Sequence, residues 1–264
     1  MDLAEQPVIT PRNDHYYLRL IATFASFALF GLGGLSLRVL VFPLLRLLPG
    51  GPVRQRQRAR RTVSWLFSVF IGFMRRTGVL TFEVHGAERL GRPGQMVIAN
   101  HPSLIDVVFL ISLMRDANCV VKDSLWRNPF TRGPVRAAQY ISNDGSLEML
   151  DTAVTALAAG QSLIVFPEGT RTTPGHAPVL HRGAAAIALR GARVLTPVTI
   201  RVHPTTLTKA EPWYRIPCRR VHFSFHVGAD IDPEAYNALG AAPKASRLLN
   251  DHLHHYFMKE LTPR

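Results

Sequence analysis

The stretch VIANHPSLIDVVFL, residues 97–110, sets a histidine and an aspartate between two apolar runs. His101 and Asp106 are five residues apart, which is not a same-face spacing on one helix. The two meet if His101 lies in a turn past a strand end and Asp106 points back from the first helical turn that follows. A carboxylate that accepts from one imidazole nitrogen fixes the tautomer, and the other nitrogen is then free to take a proton from a hydroxyl. This is two thirds of a Ser-His-Asp arrangement, with a substrate alcohol as the missing hydroxyl. A histidine that merely caps the helix is the other reading, and spacing alone leaves both open.

A second loop, FPEGTRT at residues 166–172, sets Glu168, Gly169, Thr170, Arg171 and Thr172 in a row. Glycine lets backbone approach a ligand closely, and arginine binds phosphate or carboxylate through a two-pronged donor set. The loop reads as an anion cradle, or, standing alone, as a turn with a surface arginine. No GxSxG elbow, GxxxxGK[ST] loop or HExxH motif is present. Cys119 and Cys218 are far apart and in no CxxC pair, which argues against a disulfide scaffold and a zinc site. His203, His222 and His226 fall on strand-like stretches and read as structural.

The elements around these loops alternate between strand and helix. TFEVHG (81–86), MVIAN (96–100), CVVK (119–122), SLIVFPEG (162–169), LTPVTIRV (195–202) and RRVHFSFHVGADID (219–232) read as strands. The segments IDVVFLISLM, with its helix starting at Pro102, SLEMLDTAVTALAAG, HRGAAAIALRGA and SRLLNDHLHHYFMKEL read as helices. The pattern predicts an α/β fold, with a mixed, largely parallel sheet flanked by helices. Sites in such sheets gather at the carboxyl ends of strands, and both unusual loops fall there.

The first third differs. Leu20 to Leu37 carries no charged side chain, enough at about 1.5 Å per residue for a membrane helix. It is followed by VLVFPLL, then PVRQRQRARR (52–61) and WLFSVFIGFM (65–74). The stretch reads either as a single spanning helix or as a bent hairpin that enters one leaflet and breaks near Gly31, Gly33 and Gly34 or at Pro43. Arginines 54, 56, 58, 60 and 61 would attract anionic head groups. They outnumber Arg12 and Arg19 on the other side and place the rest of the chain in the cytoplasm, at the inner (plasma) membrane. Residues 1–79 are thus expected to be a membrane-associated helical segment and residues 80–264 an α/β domain. A formal charge of +13 suits an anionic partner; no nucleic-acid-binding module accompanies it.

HPSLID (101–106) resembles the H-x4-D motif of the glycerolipid acyltransferases typified by bacterial 1-acylglycerol-3-phosphate acyltransferase, and FPEGTRT resembles that family's second signature. Lys122 with Pro129 and Gly133, HRGAAAIAL and LTPVTI resemble further blocks, so that the likeness covers roughly residues 80–205. The resemblance implies transfer of a fatty acyl group from acyl-CoA or acyl carrier protein to the hydroxyl of a lysophospholipid such as 1-acylglycerol-3-phosphate. It makes His101 the general base and Asp106 its orienter, and assigns Glu168, Gly169, Thr170, Arg171 and Lys122 to the acceptor. It implies a bilayer-resident acceptor, no metal and no prosthetic group. One block departs from the family: QYISND (139–144) stands where an F-I-D-R-like block is usual, with Asn143 at the arginine position. This keeps open a specialised acceptor, such as a lyso-aminolipid, glycolipid or polyene lipid.

Overall fold

The computed structural model describes residues 14–209 and 211–262, so Arg12 lies outside the described residues. Strands β1 (Leu80–His85), β2 (Gln95–Ala99), β3 (Asn118–Lys122), β4 (Ile141–Asn143), β5 (Leu163–Val165), β6 (Val194–His203) and β7 (Val221–Val227) are described. They form a seven-stranded sheet in the order β1-β7-β6-β2-β5-β3-β4. Neighbours pair in parallel throughout except at β6–β7, which gives the mixed, largely parallel sheet expected from the alternation.

Central β2 explains its own apolar run. Every residue of it is buried: Val97 and Ala99 join one core, Met96 and Ile98 the other. A strand covered on both faces loses polar alternation. Helices α1 (Tyr16–Ser36), α2 (Phe42–Leu47), α3 (Gly51–Arg76) and α4 (Asp106–Leu113) lie on the first side of the sheet. The remaining helices are α5 (Ser124–Arg127), α6 (Arg132–Ala137), α7 (Leu147–Ala158), α8 (Arg182–Gly191), α9 (Pro233–Asn237) and α10 (Ala242–Leu261). Of these, α7, α8 and α10 cover the second side.

Three boundaries differ from the sequence reading. Helix α4 starts at Asp106 and not at Pro102, because residues 103–106 close a tight turn first, with the Asp106 amide on the Ser103 carbonyl. Strand β7 stops at Val227; Ile231 returns to bridge Leu195 and Asp232 caps α9 by accepting from the Glu234 amide. The hairpin of the first third turns neither at its glycines nor at Pro43. Tyr16–Leu47 runs as one apolar helix of 32 residues, about 48 Å long at 1.5 Å per residue. A π-helical turn at Leu37–Val41 leads into α2, so Pro43, which has no N–H to give, falls in a first turn. The chain reverses at Leu48–Gly51, where Gly50 and Gly51 have φ of 130° and 68°.

α1 is docked along its length. Arg19, Thr23 and Ser26 form its buried side. The Arg19 guanidinium donates to the carbonyls of Pro217, Cys218 and Arg219 at 3.1, 2.6 and 3.2 Å. Phe30 packs on Phe67 and Phe70 of α3. Gly34 meets the Phe130 backbone so closely that a β-carbon there would lie 2.2 Å from the Phe130 oxygen. The opposite side leaves Leu18, Ile21, Leu29, Leu32, Val39 and Leu44 exposed. The arginine run of α3 is partly internal. Arg60 is buried, donates to the Ala138 carbonyl and Gln161 Oε1 at 2.8 and 2.9 Å, and is lowered by that burial to about 10. Arg58 closes the preceding turn on the Leu48 and Pro49 carbonyls. Arg54 and Arg61 remain exposed.

Candidate active site

Adjacency of β2 and β5 in the sheet brings the two loops together. The strands pair as far as Ile98 with Val165, and both chains then leave the sheet at the same edge. Asn100 continues β2 by side chain alone, its amide bonding the Ile200 carbonyl and N–H at 2.8 and 2.7 Å. The helices that follow β2 and β5, α4 and α8, pack on opposite sides, so a crevice opens between the two strand ends.

His101 stands in that crevice. Its Nδ1 lies 3.0 Å from Asp106 Oδ2, and the same oxygen accepts the Ser103 N–H at 2.7 Å. The early turn that delays α4 makes this geometry: it aims the Asp106 carboxylate back at residue 101. Asp106 is fully buried, whereas the His101 side chain keeps 16% of its surface exposed. As a carboxylate Asp106 can only accept, so Nδ1 carries the hydrogen and Nε2 presents a lone pair. Burial is the main influence on Asp106 and raises its pKa, opposed by the hydrogen bond from His101. Phe166 stacks on the imidazole with ring centres 4.2 Å apart, so the ring is held flat as well as by its edge.

The second loop is bolted to the first. Glu168 Oε1 accepts the His101 N–H at 3.0 Å and the Thr172 hydroxyl at 2.7 Å, and the Thr172 N–H donates to the His101 carbonyl at 2.7 Å. Glu168 is buried, which raises its carboxyl pKa; it acts as a clamp between loops. Arg171 points its Nη1 at the carbonyls of Leu207 and Thr208, 2.7 and 2.8 Å away. The Leu207 carbonyl also takes the Leu104 N–H at 3.1 Å, so a third segment, residues 206–208, is locked to the His101 turn. Gly169 and Thr170 are exposed at the loop tip. Lys122 is exposed at the end of β3, in register with Asn143 of β4.

Behind the turn lies a small apolar cavity of about 30 Å³. Ile105 and Leu207 line it, together with Thr23 and Phe27 of α1, Trp213 and Phe223. Sequence reading missed it because its walls come from segments some 200 residues apart. It also missed Phe166 and Thr172 as supports, although both letters stand in the FPEGTRT block. Among the described residues, no three histidine, cysteine, aspartate or glutamate side chains are grouped to hold a metal ion.

Comparison with known proteins bears on this geometry. The Acyltransferase family profile matches residues 81–201, a span that contains both loops. A 1-acyl-sn-glycerol-3-phosphate acyltransferase of Pseudomonas aeruginosa is 26% identical over 144 residues, 52% of this chain and 53% of that protein. One from Chlamydomonas reinhardtii is 28% identical over 123 residues, 44% of this chain and 37% of that protein. The chain thus spans about half the length, or less, of these curated relatives. The crystal structure of the 1-acyl-sn-glycerophosphate acyltransferase PlsC from Thermotoga maritima superposes with a TM-score of 0.69 at 18% identity, covering 94% of this chain and 97% of that one, a likeness of fold. The paired loops lie inside the matched region, so this part of the chain is similar to the glycerolipid acyltransferases.

Proposed function

We propose that the protein transfers a fatty acyl group from acyl-CoA or acyl carrier protein to the hydroxyl of a lysophospholipid-class acceptor, the class to which 1-acylglycerol-3-phosphate belongs. The observation that carries this reading is the His101–Asp106 contact, 3.0 Å long, on an imidazole that keeps part of its surface open to solvent. Nε2 takes the hydroxyl proton as the oxygen attacks the thioester carbonyl. The tetrahedral intermediate then breaks its C–S bond, and the thiolate leaves with the proton held on the imidazole. Asp106 stabilises the transient imidazolium.

The docking of α1 supports attachment in the plane of one leaflet over a spanning helix. To cross a bilayer, α1 would have to give up the Arg19 bonds to residues 217–219 and the Gly34–Phe130 approach, whereas lying flat buries its exposed leucines while these contacts persist. We place the hairpin in the cytoplasmic leaflet of the inner membrane, where an acceptor in the lipid phase and a donor in water both reach His101.

Purified protein, given acyl-CoA and acyl carrier protein thioesters with a panel of lysolipids, is expected to yield a diacyl product by mass spectrometry. Lipid binding without consumption of any donor would overturn the enzyme reading and leave a protein that only binds membranes.

A further inference from the structure

At the tip of the second loop, Gly169 has φ +64° and bare backbone exposed to solvent. Two polar side chains flank it. A β-carbon on Gly169 would meet His181 Cδ2 and Nε2 at 3.6 and 3.8 Å and Asn143 Nδ2 at 3.7 Å. These groups come from different elements: Asn143 ends β4, and His181 is the cap of α8, its backbone N–H bound to the Pro167 carbonyl. The patch is one residue from Glu168, which holds the His101 amide. It therefore belongs to the same clamped pair of loops as His101.

We propose that Asn143 and His181 form a head-group subsite that selects lysolipids whose head groups present hydroxyls or amides and at most one negative charge, in preference to a phosphomonoester. The inference rests on the acyl-transfer reading and narrows its acceptor. A carboxamide and a neutral imidazole each offer both a donor and an acceptor, and so do hydroxyls and amides. A phosphomonoester carries about 1.5 to 2 negative charges and only acceptor oxygens, so half of the pair's hydrogen-bonding capacity would oppose it. Part of the donor set of the loop's arginine is committed elsewhere, Arg171 Nη1 being bound to the carbonyls of Leu207 and Thr208. Lys122 lies alongside through the β3–β4 register; its single charge suits a phosphodiester.

The test compares kcat/KM of the full-length protein for two acceptors with one acyl chain in common: a lysophosphatidylglycerol and the corresponding phosphomonoester lysolipid. The wild type is expected to favour the phosphodiester. Asn143→Arg and His181→Lys should each move the ratio toward the phosphomonoester by about tenfold or more, mainly through KM, since each adds a charge-assisted contact. The near-isosteric Asn143→Asp should move it the other way, which guards against misfolding of the arginine variant. A wild-type preference for the phosphomonoester, or a ratio unchanged in all three variants, overturns the subsite while leaving acyl transfer intact. Acylation of neither lysolipid, nor of any other acceptor, overturns both readings together.

Discussion

Replacing Asp106 by asparagine keeps the side chain's shape and removes its charge. The amide oxygen can still accept the Ser103 N–H and His101 Nδ1–H, which lie 2.7 and 3.0 Å from Oδ2. The NH2 then takes the place of Oδ1, which is buried without a hydrogen-bond partner. What is lost is attraction to the imidazolium that forms during proton transfer. Two unit charges about 4 Å apart at an effective dielectric near 20 attract by about 4 kcal/mol, equivalent to roughly a thousandfold in rate. We expect kcat to fall by about that factor with little change in KM, as read from release of the CoA thiol. Stability should respond differently. Burial raises the pKa of Asp106 above its ordinary 3.8, so its favourable contribution is present at low pH and lost as pH rises through the raised value. The asparagine variant should therefore gain on the wild type between pH 4.5 and pH 7.5 in thermal melts, ending within about 1 kcal/mol of it or above it. Turnover within tenfold of the wild type, or a variant that loses ground as pH rises, would refute the reasoning.

Other outcomes follow from the same structure. His101→Ala should reduce turnover by about a thousandfold or more while leaving vesicle flotation unchanged. Arg92 holds Asp230 through two contacts of 2.7 Å, and this pair, ahead of burial and Thr196, keeps the Asp230 pKa below 3.8. Its stabilisation is present above pH 3.8 and lost as pH falls through the depressed value. Asp230→Asn should therefore lower stability by about 1 kcal/mol at pH 7, and the gap to the wild type should close in melts taken toward pH 2.5. Gly34→Val should drive a side chain into the Phe130 carbonyl and destabilise by about 1–3 kcal/mol, or a few degrees in Tm, with protease cutting of the first helix rising in parallel.

Much of the site was legible because the chemistry is local in sequence. His101 and Asp106 share one turn, and Glu168 to Arg171 share another, so residue types and order were enough to nominate them. Their meeting was legible too, since both loops end strands in a parallel pattern. The partner of each polar group was not. Arg171 was expected to grip an anion, yet one of its nitrogens binds backbone 36 residues away in sequence. Arg60 was expected among arginines that attract anionic head groups, yet it is buried against Ala138 and Gln161. Arginine looks alike in sequence whether it meets a head group or an unpaired carbonyl; only tertiary structure decides. The short elements β4, α5, α6 and α9 carry three to six residues each, too few for a periodic signal. The hairpin turn went unseen for a related reason: a π-helical turn leads into α2, whose first turn takes Pro43, a residue that ordinarily ends helices.

The helix α1 has two clients. One side of it turns Leu18, Ile21 and Leu32 outward, and the other supplies Thr23 and Phe27 to the wall of the cavity. On the placement proposed above, a bilayer and the packed α/β sheet would hold one helix from opposite sides. Linkage makes any influence between them mutual. By whatever factor a bilayer favours the docked helix, docking favours the bilayer. Melting temperatures taken in detergent and on vesicles are then separate quantities, and their difference reports the coupling that α1 carries.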